Sequence, residues 1–335
     1  MYMPRLLWLS RVTKASANIE TKTRELFVIV STDTEFDPPP NHGTWWDRPT
    51  TELRDGLPRF LEICDEFQIP ATFFCEGKLV EELPDLFRDL ARKHEIGSHS
   101  YNHEWLGTKP PFRWIQCRSD FTVLSVEAKM KILKRGAESI EKVIGRKPVS
   151  FKAPFNSIDH PSTLAILDRI GFLSDSSLPC YDNESFSHPL RPTPIRHTSE
   201  AKLWNRGEMC LLEVPFTIRA RPLFFHPFDA REEVMDTVAK GMDLAMESVS
   251  IQCEIDALAG RDISLVHVTS HPWEFSALKP GGGKGKVNAD RLTKYLEALV
   301  STYDVRFCTV HDFSSIWEKG YCDLHSGSAS RMKSI

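Results

Sequence analysis

Short apolar runs alternate with amphipathic stretches along most of the chain. The runs at 26–33, 71–75, 95–99, 149–153, 172–176, 213–218, 263–271 and 305–310 are strand-sized. The stretches at 52–67, 78–93, 126–144, 161–170, 230–249 and 289–303 have helical patterning. In 78–93, for example, Leu79, Leu83, Leu86, Phe87 and Leu90 recur at three- and four-residue steps with charges between them. Gly145 and Gly171 follow their helices as C-terminal stops. Repeated strand-then-helix units predict an α/β protein with a parallel sheet, either doubly wound or closed as a barrel. Several short buried strands, each delivering a polar residue at its end, favour a distorted (β/α) barrel of about seven strands.

Two stretches break this rhythm. Residues 100–124 are aromatic and irregular, with Trp105 and Trp114, and 178–211 carry Pro179, Pro189, Pro192 and Pro194. Both read as loops over the barrel mouth, where substrate contacts gather; plain surface elaboration is the equal alternative. The domain reading is an N-terminal extension over 1–24, a barrel domain over 25–318 and a tail over 319–335.

Composition narrows the class. With 335 residues, 41% hydrophobic and 26% charged, the chain can bury a sizeable core as one large or two modest domains. A net charge of -4 argues against broad binding to nucleic acid or anionic membrane. No apolar run is long enough to span a bilayer, and residues 1–10 have too short an apolar core for a secretory signal, so a cytoplasmic location is expected. The eight cysteines are scattered without a Cys-x-x-Cys pair and read as reduced thiols.

The chemistry-bearing residues sit at strand ends. Asp33 and Glu35 close the run 26–33, and His99 and His103 lie four residues apart after 95–99. On a helical turn such a pair shares one face and reaches one metal ion. Two histidines and one carboxylate form an open ligand set for a hydrolytic metal, which leaves the second carboxylate free as a base. His271 closes the run 263–271 and leads into Pro272-Trp273-Glu274. Each residue alone has a plainer reading: Asp33 as a helix cap, Glu35 as a solvated charge, His271 packed on Trp273. The segment 281–286 lacks the phosphate-loop spacing, and neither a Gly-x-Ser-x-Gly elbow nor a His-Glu-x-x-His motif occurs.

Taken in order, five segments resemble the polysaccharide deacetylase family (the NodB homology domain): Thr32-Asp33-Thr34-Glu35, His99-Ser100-Tyr101-Asn102-His103, Phe151-Lys152-Ala153-Pro154-Phe155, Asp175-Ser176-Ser177 and His271-Pro272-Trp273-Glu274. The resemblance implies a metal-dependent amide hydrolase on a distorted barrel, which removes acetyl groups from an N-acetylated sugar or polysaccharide. It implies Asp33 as general base, Glu35, His99 and His103 as ligands to a divalent metal such as zinc, and His271 as general acid. Asp175 is the expected partner of His271, Trp273 limits its ring motion, and the Phe155 N–H helps hold the oxyanion. Lys152 stands where arginine is usual and would orient Asp33 with its charge but without the bidentate fork. Glu35 stands where aspartate is common. Two other readings share these residues: a hydrolase of a non-sugar amide, allantoin-like or formamido, and a binding protein that has kept the barrel and lost catalysis. The sequence carries no reading of the oligomeric state.

Overall fold

Strand β1 (Glu25–Thr34) organises the molecule, and every residue of it after Glu25 is buried. The computed structural model describes residues 25–37, 49–107, 123–158, 162–177, 179–180, 196–197, 211–217, 241–258, 263–278 and 284–317. The expected extension over 1–24, the tail over 319–335, Trp114, Pro189, Pro192 and Pro194 lie outside them. After β1 come α1 (Thr51–Glu66), β2 (Thr72–Cys75), α2 (Gly77–Glu82), α3 (Pro84–Leu90), β3 (Glu95–Ser98), α4 (Val126–Ile144), β4 (Ser150–Phe151), α5 (Ser162–Ile170) and β5 (Ser174–Asp175). The short strands β6 (Pro179–Cys180), β7 (Arg196–His197), β8 (Leu212–Glu213) and β9 (Phe216–Thr217) follow. The described chain closes with α6 (Gly241–Leu258), β10 (Ile263–Ser270), α7 (Lys284–Thr302) and β11 (Asp304–Phe307).

Seven strands run parallel in the order β10-β1-β2-β3-β4-β5-β8, with β7 antiparallel at the β8 edge. β10 pairs with β1 along eight residues, Glu25↔Ile263 to Thr32↔Ser270. Also parallel to β1, β11 pairs with its first residues, from Glu25, and β2 with its last, from Ser31. The sheet curls into a half-barrel with helices around it. Beyond β8 the chain returns toward β10: the His267 N–H donates at 3.1 Å to Thr217 Oγ1 on β9, which pairs with β6 in a separate two-stranded sheet.

The period of two along the strands sorts side chains into two layers. Leu26, Val28 and Val30 of β1 pack outward with Val266, Val268, Leu57, Phe60, Leu292 and Leu296. Phe27 and Ile29 pack inward with Phe74, Leu212 and Leu265. Continuing the inward set gives Ser31 and Asp33 on β1, and His267, Thr269 and His271 on and after β10. Apolar side chains therefore fill the inner face low in the barrel, and polar ones crown it. Each large apolar residue buried this way stabilises the fold by about 1.5–3 kcal/mol.

Five expected elements differ markedly in extent. The helix expected over 78–93 is two helices, because Leu83 leaves the helical region (φ -125, ψ 51) and Pro84 begins α3. Proline disfavours helical geometry in the residue before it and cannot donate to a continuing ladder. The helix expected over 230–249 is described from 241 and runs on to Leu258; 230–240 lie outside the described residues. The strands expected over 149–153 and 172–176 contribute only two ladder residues each, at 150–151 and 174–175, and the one expected over 213–218 is split between β8, at 212–213, and β9, at 216–217. Gly145 ends α4 in the left-handed region at φ 76, and Gly171 follows α5 at φ 97. Among the described residues, no helix is long and apolar enough to cross a membrane.

Candidate metal centre and its surroundings

The strand ends bring Asp33, Glu35, His99, Lys152 and His271 to one mouth. His99 follows β3, and its N–H donates to Cys75 O at 2.8 Å, so the ladder holds its backbone. Beyond it the chain turns sharply, with Ser100 at φ 67 and His103 at φ 59. The His99–His103 pair therefore sits on a tight turn, not on the helical turn that its four-residue spacing suggests. Left-handed φ at two non-glycine residues costs of order 1–3 kcal/mol each, and the surroundings over-determine the turn. Gly77 N–H donates to Ser100 O at 3.0 Å and Lys78 N–H to Tyr101 O at 2.8 Å. The Glu104 carboxylate accepts from the Asn102 N–H at 2.8 Å, the Tyr101 N–H at 3.2 Å and the Ser100 hydroxyl. α4 backs the turn through Gly136, where a β-carbon would lie 2.7 Å from Ser100 O.

This turn sets Glu35, His99 and His103 together, with one ligand atom of each within 4.8 Å of the others. His103 Nε2 lies 2.5 Å from Glu35 Oε2, and the two imidazole centres are 5.4 Å apart. His99 Nδ1 is 2.8 Å from Lys152 O. A carbonyl only accepts, so Nδ1 carries the proton and Nε2 keeps its lone pair for a ligand role. Burial pulls His99 down to about 4, which keeps the ring neutral at pH 7. Two imidazoles and a carboxylate, convergent and largely shielded from water, suit zinc or a similar divalent ion.

Beside this set, Lys152 grips Asp33. Its Nζ lies 2.6 and 2.7 Å from the two carboxylate oxygens and 2.8 Å from Thr269 Oγ1. Lys152 is 0% exposed. Burial alone would raise the Asp33 carboxyl; the Lys152 ammonium, helped by His99 and His271, more than reverses that and holds it below the usual carboxylate range. A single ammonium here reaches both oxygens, the contact that a guanidinium fork makes in another way.

His271 faces both carboxylates, with Nε2 3.9 Å from Asp33 Oδ2 and 3.8 Å from Glu35 Oε1. Its ring stacks on Trp273 at 4.3 Å and 24°. Burial lowers its pKa, but the nearby carboxylates of Glu274, Glu35 and Asp33 outweigh this and push it above the ordinary value. Phe155, at φ 57, sets its ring edge-on to His103 at 4.5 Å, with Trp105 5.7 Å away.

Asp175 is the expected site residue that the fold places elsewhere. It pairs in register with Phe151 on one side and Glu213 on the other. Registered neighbours leave a sheet on the same face, and Phe151 packs outward with Leu133, Leu164 and Leu167. Asp175 thus points away from the mouth. Its Oδ1 accepts from the Ser177 hydroxyl at 2.6 Å, and Ser177 Oγ accepts the Ala153 N–H at 2.8 Å. Burial pushes its carboxyl up to about 6, against hydrogen bonds with Glu213 and Ser177. The carboxylate beside His271 is Glu274, with Oε2 3.5 Å from Nδ1. Sequence reasoning also missed Thr269, although it lies two residues before His271 and so on the same face.

Residues 41–172 match the polysaccharide deacetylase family model. That family groups hydrolases acting on carbon–nitrogen bonds other than peptide bonds. The match contains His99, His103, Lys152 and Phe155, while Asp33, Glu35 and His271 lie outside it and join them through the fold. A peptidoglycan deacetylase-like protein, FGM2, of Gibberella zeae is 32% identical over 174 residues, covering 48% of this chain and 46% of that protein. The peptidoglycan deacetylase of Helicobacter pylori is 24% identical over 247 residues, covering 64% of this chain and 78% of that one. The chain therefore spans about half the length of the fungal relative. Among solved structures, a protein of Mycobacterium smegmatis assigned to the polysaccharide deacetylases superposes with a TM-score of 0.64 at 22% identity, covering 90% of this chain and 92% of that one. An allantoinase, Puue, superposes with a TM-score of 0.60 at 15% identity over the same shares. At these identities the two structures share the fold, a distorted TIM-like barrel.

Proposed function

We propose that the protein is a metal-dependent amide hydrolase that removes acetyl groups from an N-acetylated sugar within a glycan, with zinc as the metal. The observation that carries this reading is the convergence of Glu35, His99 and His103 beside a buried, lysine-held Asp33 and an inward-facing His271. The matched family and the names of the two curated relatives support acetylated glycans as the substrate class.

An amide carbonyl is a weak electrophile, and an amine must be protonated to leave at neutral pH. A divalent ion at this site supplies carbonyl polarisation and a nucleophile at neutral pH. Glu35, His99 and His103 would hold it as three protein ligands, an open set of the kind hydrolytic metals use. Asp33, kept ionised by Lys152, accepts the proton of the attacking water at its carboxylate. His271 delivers a proton from Nε2 to the departing nitrogen. The Phe155 N–H is assigned to the developing oxyanion. Each proton transfer contributes about 10²–10⁴ in rate.

Acetate release from N-acetylglucosamine oligomers and peptidoglycan, with and without a chelator, tests the proposal, with allantoin and formamido compounds as the second arm. Chelator-sensitive acetate release from the sugars is the expected result. Turnover of the small amides alone would move the substrate class, and no metal uptake with no turnover on either arm would support the binding-protein reading.

A further inference from the structure

We infer that Glu274 is the positioning residue for His271, setting which ring nitrogen faces the reacting groups. The inference rests on the proposed role of His271 and gives the partner's place, expected for Asp175, to a residue three positions along the same turn. Glu274 is 7% exposed. One oxygen, Oε2, accepts the backbone N–H of His271 at 2.8 Å and lies 3.5 Å from Nδ1 of its ring. A carboxylate at Nδ1 favours the tautomer with the proton there, which turns the Nε2 lone pair toward Asp33 and Glu35. When the ring is charged, Nδ1–H stays with Glu274 and the Nε2 proton is the one free to transfer.

The turn is locked, so this geometry is built in. The Glu274 N–H donates to His271 O at 3.0 Å, and Asn288 Nδ2 donates to Glu274 O at 2.7 Å. Asp55 Oδ2 accepts from the Ser276 hydroxyl at 2.9 Å and the Ala277 N–H at 2.7 Å, and Arg59 donates to Phe275 O at 2.8 Å. α1 approaches so closely that a β-carbon on Gly56 would lie 2.0 Å from Pro272 O. Trp273 covers one face of the imidazole. Position and tilt of the His271 ring are each held by a separate contact, and the Glu274 carboxylate lies on its Nδ1 side.

The rival role for Glu274 is that of a cap for this short turn, and the test separates the two. Two-bond proton–nitrogen correlation spectra at alkaline pH, with His271→Ala used to assign the signals, report the tautomer of the neutral ring directly. The parent should show the Nδ1–H form and Glu274→Ala the Nε2–H form, with Glu274→Gln, which keeps an acceptor, retaining the parent form. In turnover, Glu274→Ala should slow an N-acetyl sugar about 10- to 100-fold more than an activated acetate ester, whose leaving group needs no proton. An Nε2–H ring in the parent, an unchanged tautomer in Glu274→Ala, or equal losses on amide and ester would each overturn the inference. A parent that hydrolyses neither probe would defeat the proposed function, while the spectra would still decide the role of Glu274.

Discussion

Removing the Lys152 ammonium should expose how much the fold depends on its grip on Asp33. In Lys152→Met the bulk of the side chain is largely kept, while contacts of 2.6, 2.7 and 2.8 Å to Asp33 and Thr269 are lost. Lys152 is 0% exposed and the Asp33 side chain 9%, so little water can take over. Breaking one partner out of a buried ion pair costs about 3–5 kcal/mol, because the remaining charge is left unpaired. The pH dependence follows from the sign of the Asp33 shift. In the parent the folded carboxyl sits below its ordinary value of 3.8, so its contribution to stability is present above that pH and lost as the pH falls through the folded value. In the variant, burial acts unopposed by Lys152 and the carboxyl moves up, so charging it near neutrality costs stability. Urea denaturation of both proteins should show the full difference near pH 7 and a shrinking one toward pH 4 and below. Lys152→Arg keeps the charge but overpacks a closed site beside Phe216, at a cost of about 1–3 kcal/mol with little pH dependence. A methionine variant within about 1 kcal/mol of the parent at pH 7, or a difference that does not vary with pH, would refute the pairing account.

His103→Ala should lower zinc stoichiometry sharply, measured by elemental analysis after dialysis, while the circular dichroism spectrum persists; parental zinc content would remove His103 from the ligand set. Asp33→Asn should retain zinc and lose about two to four orders of magnitude in deacetylation rate, and near-parental turnover would exclude Asp33 as the base. Gly136→Ala should weaken zinc binding in a calorimetric titration and lower stability by about 1–3 kcal/mol, because its new methyl meets Ser100 O on the histidine turn at 2.7 Å. Unchanged zinc affinity in that variant would mean that α4 yields and the turn does not depend on it.

The strand-and-helix alternation was legible because it expresses burial, and the sheet is buried on both faces around β1. Helix ends were legible where a glycine enforces them, at Gly145 and Gly171. The break before Pro84 was hidden by an apolar repeat that continues in step across it: Leu79, Leu83 and Leu86 keep the spacing while the backbone at Leu83 leaves the helix. The central strands were overdrawn for a related reason. Phe172 and Ala153 are buried and belong to the same core as their strands, yet they lie on the approaches to the ladder and outside it.

Legibility of the site follows strand length. A strand of ten residues carries its own phase: Phe27 and Ile29 pack inward, so Ser31 and Asp33 must also face inward, and Glu35 follows in the same step. β10, with eight residues, does the same for Leu265, His267, Thr269 and His271. β5 has two residues, one for each face, and nothing in Ser174-Asp175 tells which is which. Only pairing with Phe151 and Glu213 turns Asp175 outward, and that pairing is long-range information. The histidine pair shows the converse. Its spacing pointed to the right neighbours through the wrong geometry, because four residues bring side chains together on a strained turn as well as on a helix, once Gly77 and Gly136 let two helices close on its backbone. The carboxylate beside His271 needed no long-range information at all. A glutamate three residues after a strand-ending residue, across a Pro-Trp turn, is the local pattern by which a side chain reaches back to the backbone N–H at the head of a helical turn, and the same reach brings Glu274 to the ring.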